Sequence, residues 1–356
     1  MPDISHLSLP LLLIAFALAA GAVWLAGIQL SSTADALDSK FGLGEALGGL
    51  ILLAITTNLP EIAITVSAAR NGQVDVAVSN ILGGIAIQTV VLAALDAFGV
   101  RVRRPLTYQA ASLRLVLEGS VVVAVLAVVV MGAQLPKTAI AFRLTPDVVG
   151  IAVVWVVGLL LTQRASKLPW QDNGNAPDSQ PKPRGHSARK RAANATAKGV
   201  STVKALAVFG AAAVATLVAG ALLEESGIQA ADHVGLSGVL FGATVLAAAT
   251  SLPELSTGLT AVRSGDYQLA FGDIFGGNAF LPVLLLLATV VTGKAILPNA
   301  HNSDLYLTAL GALLTIIYMT GLLFRPTRQH ARLGIDSIAV LLVYAVGITG
   351  LAILPS

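Results

Sequence analysis

Apolar residues run in blocks of twenty or more along nearly the whole chain, with short polar stretches between them, and blocks of that length suit α-helices that cross a bilayer. Ten are readable, at about 8–30, 42–70, 74–98, 109–131, 146–163, 202–223, 235–263, 267–292, 304–324 and 333–354. The second and seventh are too long for a straight crossing of roughly 30 Å at about 1.5 Å per residue. Pro60 and Pro253 lie inside them. Proline has no N–H and crowds the preceding turn, so both spans are expected to be broken helices at the membrane midplane. The first block is longer than a signal-peptide core and follows no basic segment, so it reads as a retained span.

A segment of 48 residues occurs twice: residues 41–88 align without a gap on residues 234–281, always 193 positions apart, and 18 positions are identical. The best-matched part reads TTNLPEIAITVSAARNG in the first copy and ATSLPELSTGLTAVRSG in the second, and both copies close on a Gly-Gly pair. The pattern predicts an all-α polytopic membrane protein with two five-helix halves, residues 1–163 and 201–356. Between them lies a polar segment, 164–200, rich in Pro, Gly, Asn and Lys/Arg. Its composition suits a flexible tether without a core; a contact with anionic lipid is the sharper alternative.

Composition agrees: 55% of the 356 residues are hydrophobic and 12% charged, where a soluble domain has about 25% charged. The mean hydropathy is +0.81. Cysteine is absent, which excludes disulfides and thiolate metal sites. The pI near 9.3 invites a nucleic-acid reading, but the positive charge sits in loops and reports topology instead. With the linker in the cytoplasm, loops on its side hold sixteen Lys and Arg: Lys40, Arg101, Arg103, Arg104, eight in the linker, Arg263, Arg325, Arg328 and Arg332. The opposite loops hold four, Arg70, Lys137, Arg143 and Lys294. Both termini are then outside, in a bacterial-type inner or plasma membrane. Five spans per half is an odd number, so the second half enters upside down and the copies form an inverted repeat. Transporters commonly place their site between such repeats.

An ionisable side chain at the bilayer centre costs roughly 2.5–3.5 kcal/mol on insertion scales. This chain carries Glu61 and Glu254 in matching positions, which argues that the two carboxylates act together. Proline also removes the helical partners of carbonyls near Thr56–Thr57 and Ala249–Thr250. Carboxylates, carbonyls and the hydroxyls of Thr57, Thr250 and Ser251 make an all-oxygen ligand set, the kind that Ca²⁺ or Na⁺ prefers. All five His residues lie near termini or in loops, which removes the usual ligands of a metal-dependent hydrolase. Gly83-Gly84 and Gly276-Gly277 allow a neighbouring backbone to approach closely. Asn80, Gln88, Asp273 and Asn278 surround them; for the three amides, helix–helix hydrogen bonding is as good a reading as ion coordination. Glu118 follows Arg114 by four residues, the spacing of an i,i+4 ion pair. Glu45 reads as interfacial, and the Arg70/Arg263 match as an end-of-helix anchor.

With these residues in view, the chain resembles the cation/Ca²⁺ antiporter superfamily, which includes the sodium/calcium exchangers. That family carries a G-[TS]-S-x-P-E signature and then a G-N-x-x-G-S-N motif. Here the first reads Thr56-Thr57-Asn58-Leu59-Pro60-Glu61 and Ala249-Thr250-Ser251-Leu252-Pro253-Glu254. The second reads Ser79-Asn80-Ile81-Leu82-Gly83-Gly84-Ile85 and Gly272-Asp273-Ile274-Phe275-Gly276-Gly277-Asn278. The resemblance implies alternating-access exchange of Ca²⁺ for Na⁺ or H⁺, with Glu61 and Glu254 as central ligands and oxygens added by Thr57 and Thr250. It implies no tightly bound cofactor; the partners are inorganic cations and the lipid bilayer, not nucleic acid, and the oligomeric state stays open. Several positions depart from the family pattern. Asn58 replaces a Ser, Gly84 and Gly277 replace the motif Ser, Ile85 replaces an Asn, Asp273 replaces an Asn, and Gln88 and Leu281 stand where further polar ligands are placed. Hydroxyls that the resemblance assigns to flanking Na⁺ sites are missing, so proton coupling, another cation, or a channel-like or transport-inactive protein of this fold remain alternatives.

Overall fold

The computed structural model describes residues 7–41, 53–100, 104–137, 143–165 and 201–354. Residues 42–52, with Glu45, and the linker 166–200 lie outside that set, as do Arg101 and Arg103. The first half contains α1 (Leu9–Phe41), α2 (Leu53–Thr57), α3 (Leu59–Asn71), α4 (Val74–Gly99), the short α5 (Leu106–Ala110), α6 (Leu113–Gly132) and α7 (Pro146–Ala165). The second contains α8 (Thr202–His233), α9 (Gly238–Phe241), a π turn (Gly242–Leu246), α10 (Ala247–Thr250), α11 (Leu252–Arg263), α12 (Tyr267–Phe280), α13 (Leu284–Thr292), α14 (Asn302–Phe324) and α15 (Ile335–Ile353). A two-residue hairpin, Gln329–His330 with Leu333–Gly334, precedes α15.

Among the described residues eight helices are long and apolar enough to cross a membrane, and the bent pair 238–250 and 252–263 makes a ninth. The protein is therefore an integral membrane protein. The tenth expected span, 42–70, is described only from Leu53.

Two boundaries differ from the hydropathy reading, for one reason. The spans expected to end at residues 30 and 223 continue to Phe41 and His233. The polar runs that end the apolar blocks contain no proline and so do not end the helices, and their hydroxyls are satisfied by carbonyls of the preceding turn. Thr33 Oγ1 donates to the Gln29 carbonyl at 2.6 Å and Ser226 Oγ to the Leu222 carbonyl at 2.6 Å. The fourth span starts at Leu113 rather than 109. Ser112 caps α6 there by accepting from the Arg114 N–H at 3.2 Å, which separates it from α5.

The 193-residue offset reappears in the fold. Shifted by 193, α1 becomes 202–234, against Thr202–His233 for α8. Shifted likewise, α4 becomes 267–292, the span of α12 and α13 together. Packing repeats too: α3 lies on α8 as α11 lies on α1, and α6 lies on α12 as α14 lies on α4. Asn278 Nδ2 stands 3.4 Å from the carbonyl of Ile85, its own counterpart in the first copy. A residue that touches its counterpart lies beside the axis relating the copies.

Burial sorts the helices. In their most apolar stretches α4 is 72% buried and α12–α13 67%, whereas α1, α7, α8 and α15 are 28%. The first two form the centre, and the others turn Leu, Val and Trp side chains outward to lipid. At the centre Gly83 meets Ala243 in the π turn so closely that a Cβ would collide with the Ala243 backbone. The far end of α4 is tied by Asp96, which accepts from Leu106 N–H at 2.8 Å, Gly334 N–H at 2.6 Å and Ser337 Oγ at 2.8 Å. This one carboxylate joins α4, α5, the hairpin and α15, three donors being enough to satisfy it away from water. The Arg114–Glu118 ion pair forms as the spacing predicts, at 3.0 Å.

Thermal unfolding in detergent should expose both joints. Gly83→Val is expected to lower stability by about 1–3 kcal/mol through overpacking. Asp96→Ala should lower it by at least about 2 kcal/mol, because it strands three buried donors.

Candidate cation site

Both Pro-Glu segments break as expected, but the break falls just before the proline. Asn58 separates α2 from α3 and Ser251 separates α10 from α11, the second pair bending by 43°. Each proline then sits in the first turn of the new helix, where its missing N–H leaves no bond unmade. Pro60 cannot donate to the Thr56 carbonyl, nor Pro253 to that of Ala249. The ladders resume at once: Ile62 N–H donates to Asn58 at 3.0 Å and Leu255 N–H to Ser251 at 3.0 Å.

This geometry puts Glu61 and Glu254 in the first turns of α3 and α11, where the helix dipole favours negative charge by about 0.3–1 kcal/mol. Both are buried, at 0% and 2% exposure. None of their four carboxylate oxygens meets a donor at good hydrogen-bond geometry. Thr250 Oγ1 is close to Glu61, and the Glu61 carboxylate folds back toward its own N–H. The Thr250 hydroxyl also lies 3.1 Å from the Ala247 carbonyl, which competes with the carboxylate for its one proton. Glu254 lies within repulsive range of both Glu61 and Asp273. One acid from the first copy and two from the second therefore share one buried region.

The other expected residues divide into groups. Asp273, half-buried on α12, accepts from Thr257 Oγ1 at 2.9 Å, which ties it to α11 one turn beyond Glu254. Asn58 Nδ2 approaches Thr57 Oγ1 at 3.4 Å. Asn58 and Gln88 also converge on Gly277: a Cβ there would stand 3.5 Å from Asn58 Nδ2 and 3.3 Å from Gln88 Oε1. The Gly-Gly pair of one copy thus makes room for polar groups of the other. Asn278 is a helix–helix tie, its Nδ2 reaching Thr89 Oγ1 at 3.1 Å, while its Oδ1 accepts no hydrogen bond. Ser251 Oγ donates to the Ala247 carbonyl at 2.7 Å. Asn80 is wholly buried with neither amide atom hydrogen-bonded, and no short contact joins it to the three acids. Among the described residues no three Asp, Glu or His side chains converge tightly enough to hold a metal by themselves. A cation here must take amide, hydroxyl or carbonyl oxygens beside the carboxylates, consistent with a hard ion.

Sequence reading missed Thr257. The available signal was its position three residues after Glu254, which places it on the same helix face; its counterpart in the first copy is Ile64. Glu224 was missed as well. It lies just past the end of an apolar block, and only the continuation of α8 brings it inside.

A polytopic helical membrane protein with paired acids at two proline breaks belongs to the ion transporters in form, and the comparisons identify which. The sequence profile described as "Sodium/calcium exchanger protein" matches residues 11–162 and 204–350. The chain belongs to that family of antiporters. It is 29% identical over 278 residues to inner membrane protein YrbG of Escherichia coli (strain K12), covering 78% of each chain. To the putative antiporter CaxA of Alkalimonas amylolytica it is 25% identical over 296 residues, covering 81% and 82%. Its fold is shared with the H⁺/Ca²⁺ exchanger CAX, at a TM-score of 0.63, 16% identity and coverage of 97% and 82%. It is shared likewise with the sodium-calcium exchanger NCX_Mj, at 0.56, 17% identity and coverage of 98% and 100%.

If the two glutamates are held against their mutual repulsion, neutralising one should stabilise the ion-free protein. Glu254→Gln is expected to raise the melting temperature in chelator while abolishing the further rise on adding Ca²⁺, read by thermal unfolding in detergent.

Proposed function

We propose that this protein is a secondary active antiporter that exchanges a divalent cation, with Ca²⁺ the best fit, for Na⁺ or H⁺ by alternating access. The single observation that carries the reading is the pair Glu61 and Glu254. One comes from each copy, both are buried, and among the described residues neither carboxylate is paired with a cationic side chain or held by a well-aligned hydrogen bond. Two uncompensated carboxylates are balanced by one divalent ion, or by monovalent cations or protons. That equivalence of charge is what lets the two cargoes compete for one site.

Glu61 and Glu254 are the central ligands in this reading. Thr57 and Thr250 contribute hydroxyl or carbonyl oxygens, and Asn58, Ser251, Asp273, Asn278, Gln88 and Asn80 complete or flank the site. Access alternates as two five-helix halves, inverted with respect to each other across ten spans, rearrange around the bound ion. Only an ion with different affinities for the two access states can drive that change. The linker is cytoplasmic and both termini are outside. The relatives' names, a sodium-calcium exchanger and an H⁺/Ca²⁺ exchanger, support either counter-ion. The loss of hydroxyl positions from the repeats favours the proton.

The test is ⁴⁵Ca²⁺ uptake into proteoliposomes under a Na⁺ gradient or a pH gradient. Glu61→Gln and Glu254→Gln should each abolish uptake, and undiminished flux in either would sink the proposal. A channel passes ions without counter-transport, and an inactive subunit passes none. Thr257→Val removes the donor that holds Asp273; a hydrogen bond to a charged group contributes about 1.5–3 kcal/mol. Apparent Ca²⁺ affinity should fall about tenfold.

A further inference from the structure

Of the buried acids outside the exchange site, one is joined to the helix that carries Glu61. Glu224 on α8 is 1% exposed, and its Oε2 accepts from Ser67 Oγ of α3 at 2.7 Å. One turn earlier, α8 presses on the Pro-Glu break itself. A Cβ at Gly220 would stand 2.8 Å from Ala63 Cβ and 3.2 Å from the Pro60 carbonyl oxygen. Any sliding of α8 against α3 therefore moves Glu224 relative to Ser67 and shifts the backbone that carries Glu61.

The second copy allows a control within the same molecule. Gly27 of α1 is the counterpart of Gly220, and it packs on Pro253, with a Cβ there 2.7 Å from Pro253 Cβ. The joint is duplicated but the acid is not. Ser31 occupies the place of Glu224, and Thr260 the place of Ser67, its hydroxyl donating to the Ser256 carbonyl within its own helix at 2.9 Å. Packing needs only the glycines, so packing does not account for the carboxylate. A buried carboxylate is costly to keep, and an acid inside a membrane-spanning helix is by default a candidate for function.

We propose that Glu224, held by Ser67, is a proton-binding site serving one of the two access routes, so that exchange responds to pH at one membrane face and far less at the other. The proton comes from water on that face and returns to it, and no other group changes. Glu225, next in the chain, is the charge that acts on Glu224. On α3, Glu61 lies six residues before Ser67 and Arg70 three after it; Asp232 and His233 follow on α8, and α9 and the π turn carry no charge. On α1 the titratable residues are Asp35, Asp38 and Lys40, whose side chains lie outside the described set.

The inference rests on the antiport reading, and the experiment keeps the two apart. Exchange of ⁴⁵Ca²⁺ for unlabelled Ca²⁺ at equal concentration on both sides, which needs no counter-ion gradient, is measured in proteoliposomes of uniform orientation while pH is stepped on one face at a time. Ca²⁺-induced thermal stabilisation is recorded alongside. Wild-type flux should change severalfold with pH on one face only. Glu224→Gln should flatten that response while keeping Ca²⁺ stabilisation, and Ser67→Ala should move the midpoint of the response without removing it. A Glu224→Gln protein that keeps the wild-type one-sided profile overturns the proposal. So does a wild-type profile equal on both faces. Should Glu224→Gln not assemble, an unchanged profile in Ser67→Ala overturns it equally. Normal flux in Glu61→Gln sinks the antiport reading instead, whatever Glu224 does.

Discussion

Two carboxylates share a buried region in which, among the described residues, no cationic side chain balances them, and much of the architecture follows from where that arrangement can exist. A charged or hydrogen-bonding group inside a membrane needs either a protein partner or an ion. Glu61 and Glu254 gain part of what they need from the helix starts beneath them. The breaks at Asn58 and Ser251 create those helix starts in the middle of a span, and Pro60 and Pro253 keep the breaks from closing into continuous helix. The central helices α4 and α12 must then come close enough to seal the region from lipid, which the Gly-Gly pairs permit. Long outer helices, α1 and α8, brace the broken ones through Gly27 and Gly220.

Duplication explains the economy of this plan, and the copies differ in the polar groups around it. Both halves supply the same joints: a proline break, a glutamate at a helix start, a glycine contact from the long helix. The polar groups around the joints are not shared. The second copy adds Asp273 and its donor Thr257, where the first has Asn80 and Ile64. The first offers Asn58 and Gln88 around Gly277; the matching contact in the other direction is Gly84 against Leu281, a methyl group. The second copy thus supplies the extra carboxylate, and the first the two amides that face Gly277.

Most of the fold was legible in the chain, because lipid imposes a length and a polarity on every crossing segment. Where polar residues ended an apolar block, hydropathy misjudged the helix. Ser32, Thr33 and Ser226 return their hydroxyls to the helix backbone, and a side chain's ability to do so is invisible to an average over apolarity. The candidate site was legible to the extent that chemistry is local. Glu61, Glu254 and the proline breaks were evident in the sequence, and so was the alternative role of Asn278 as a tie between helices. Thr257 and Glu224 were not, since each matters through a partner from a different element.

Sequence by itself determined the membrane-spanning class, the internal duplication and the paired acids, because hydrophobic length, repetition and charge cost are properties of the chain read in order. Tertiary structure alone decided which of the polar residues meet. Thr257 of α11 donates to Asp273 of α12, Gln88 and Asn58 both reach Gly277 of the other copy, and Glu224 finds Ser67 157 residues away. Those meetings depend on how closely helices from the two halves approach. Small residues at particular depths set that approach, and their depth exists only once the helices are packed.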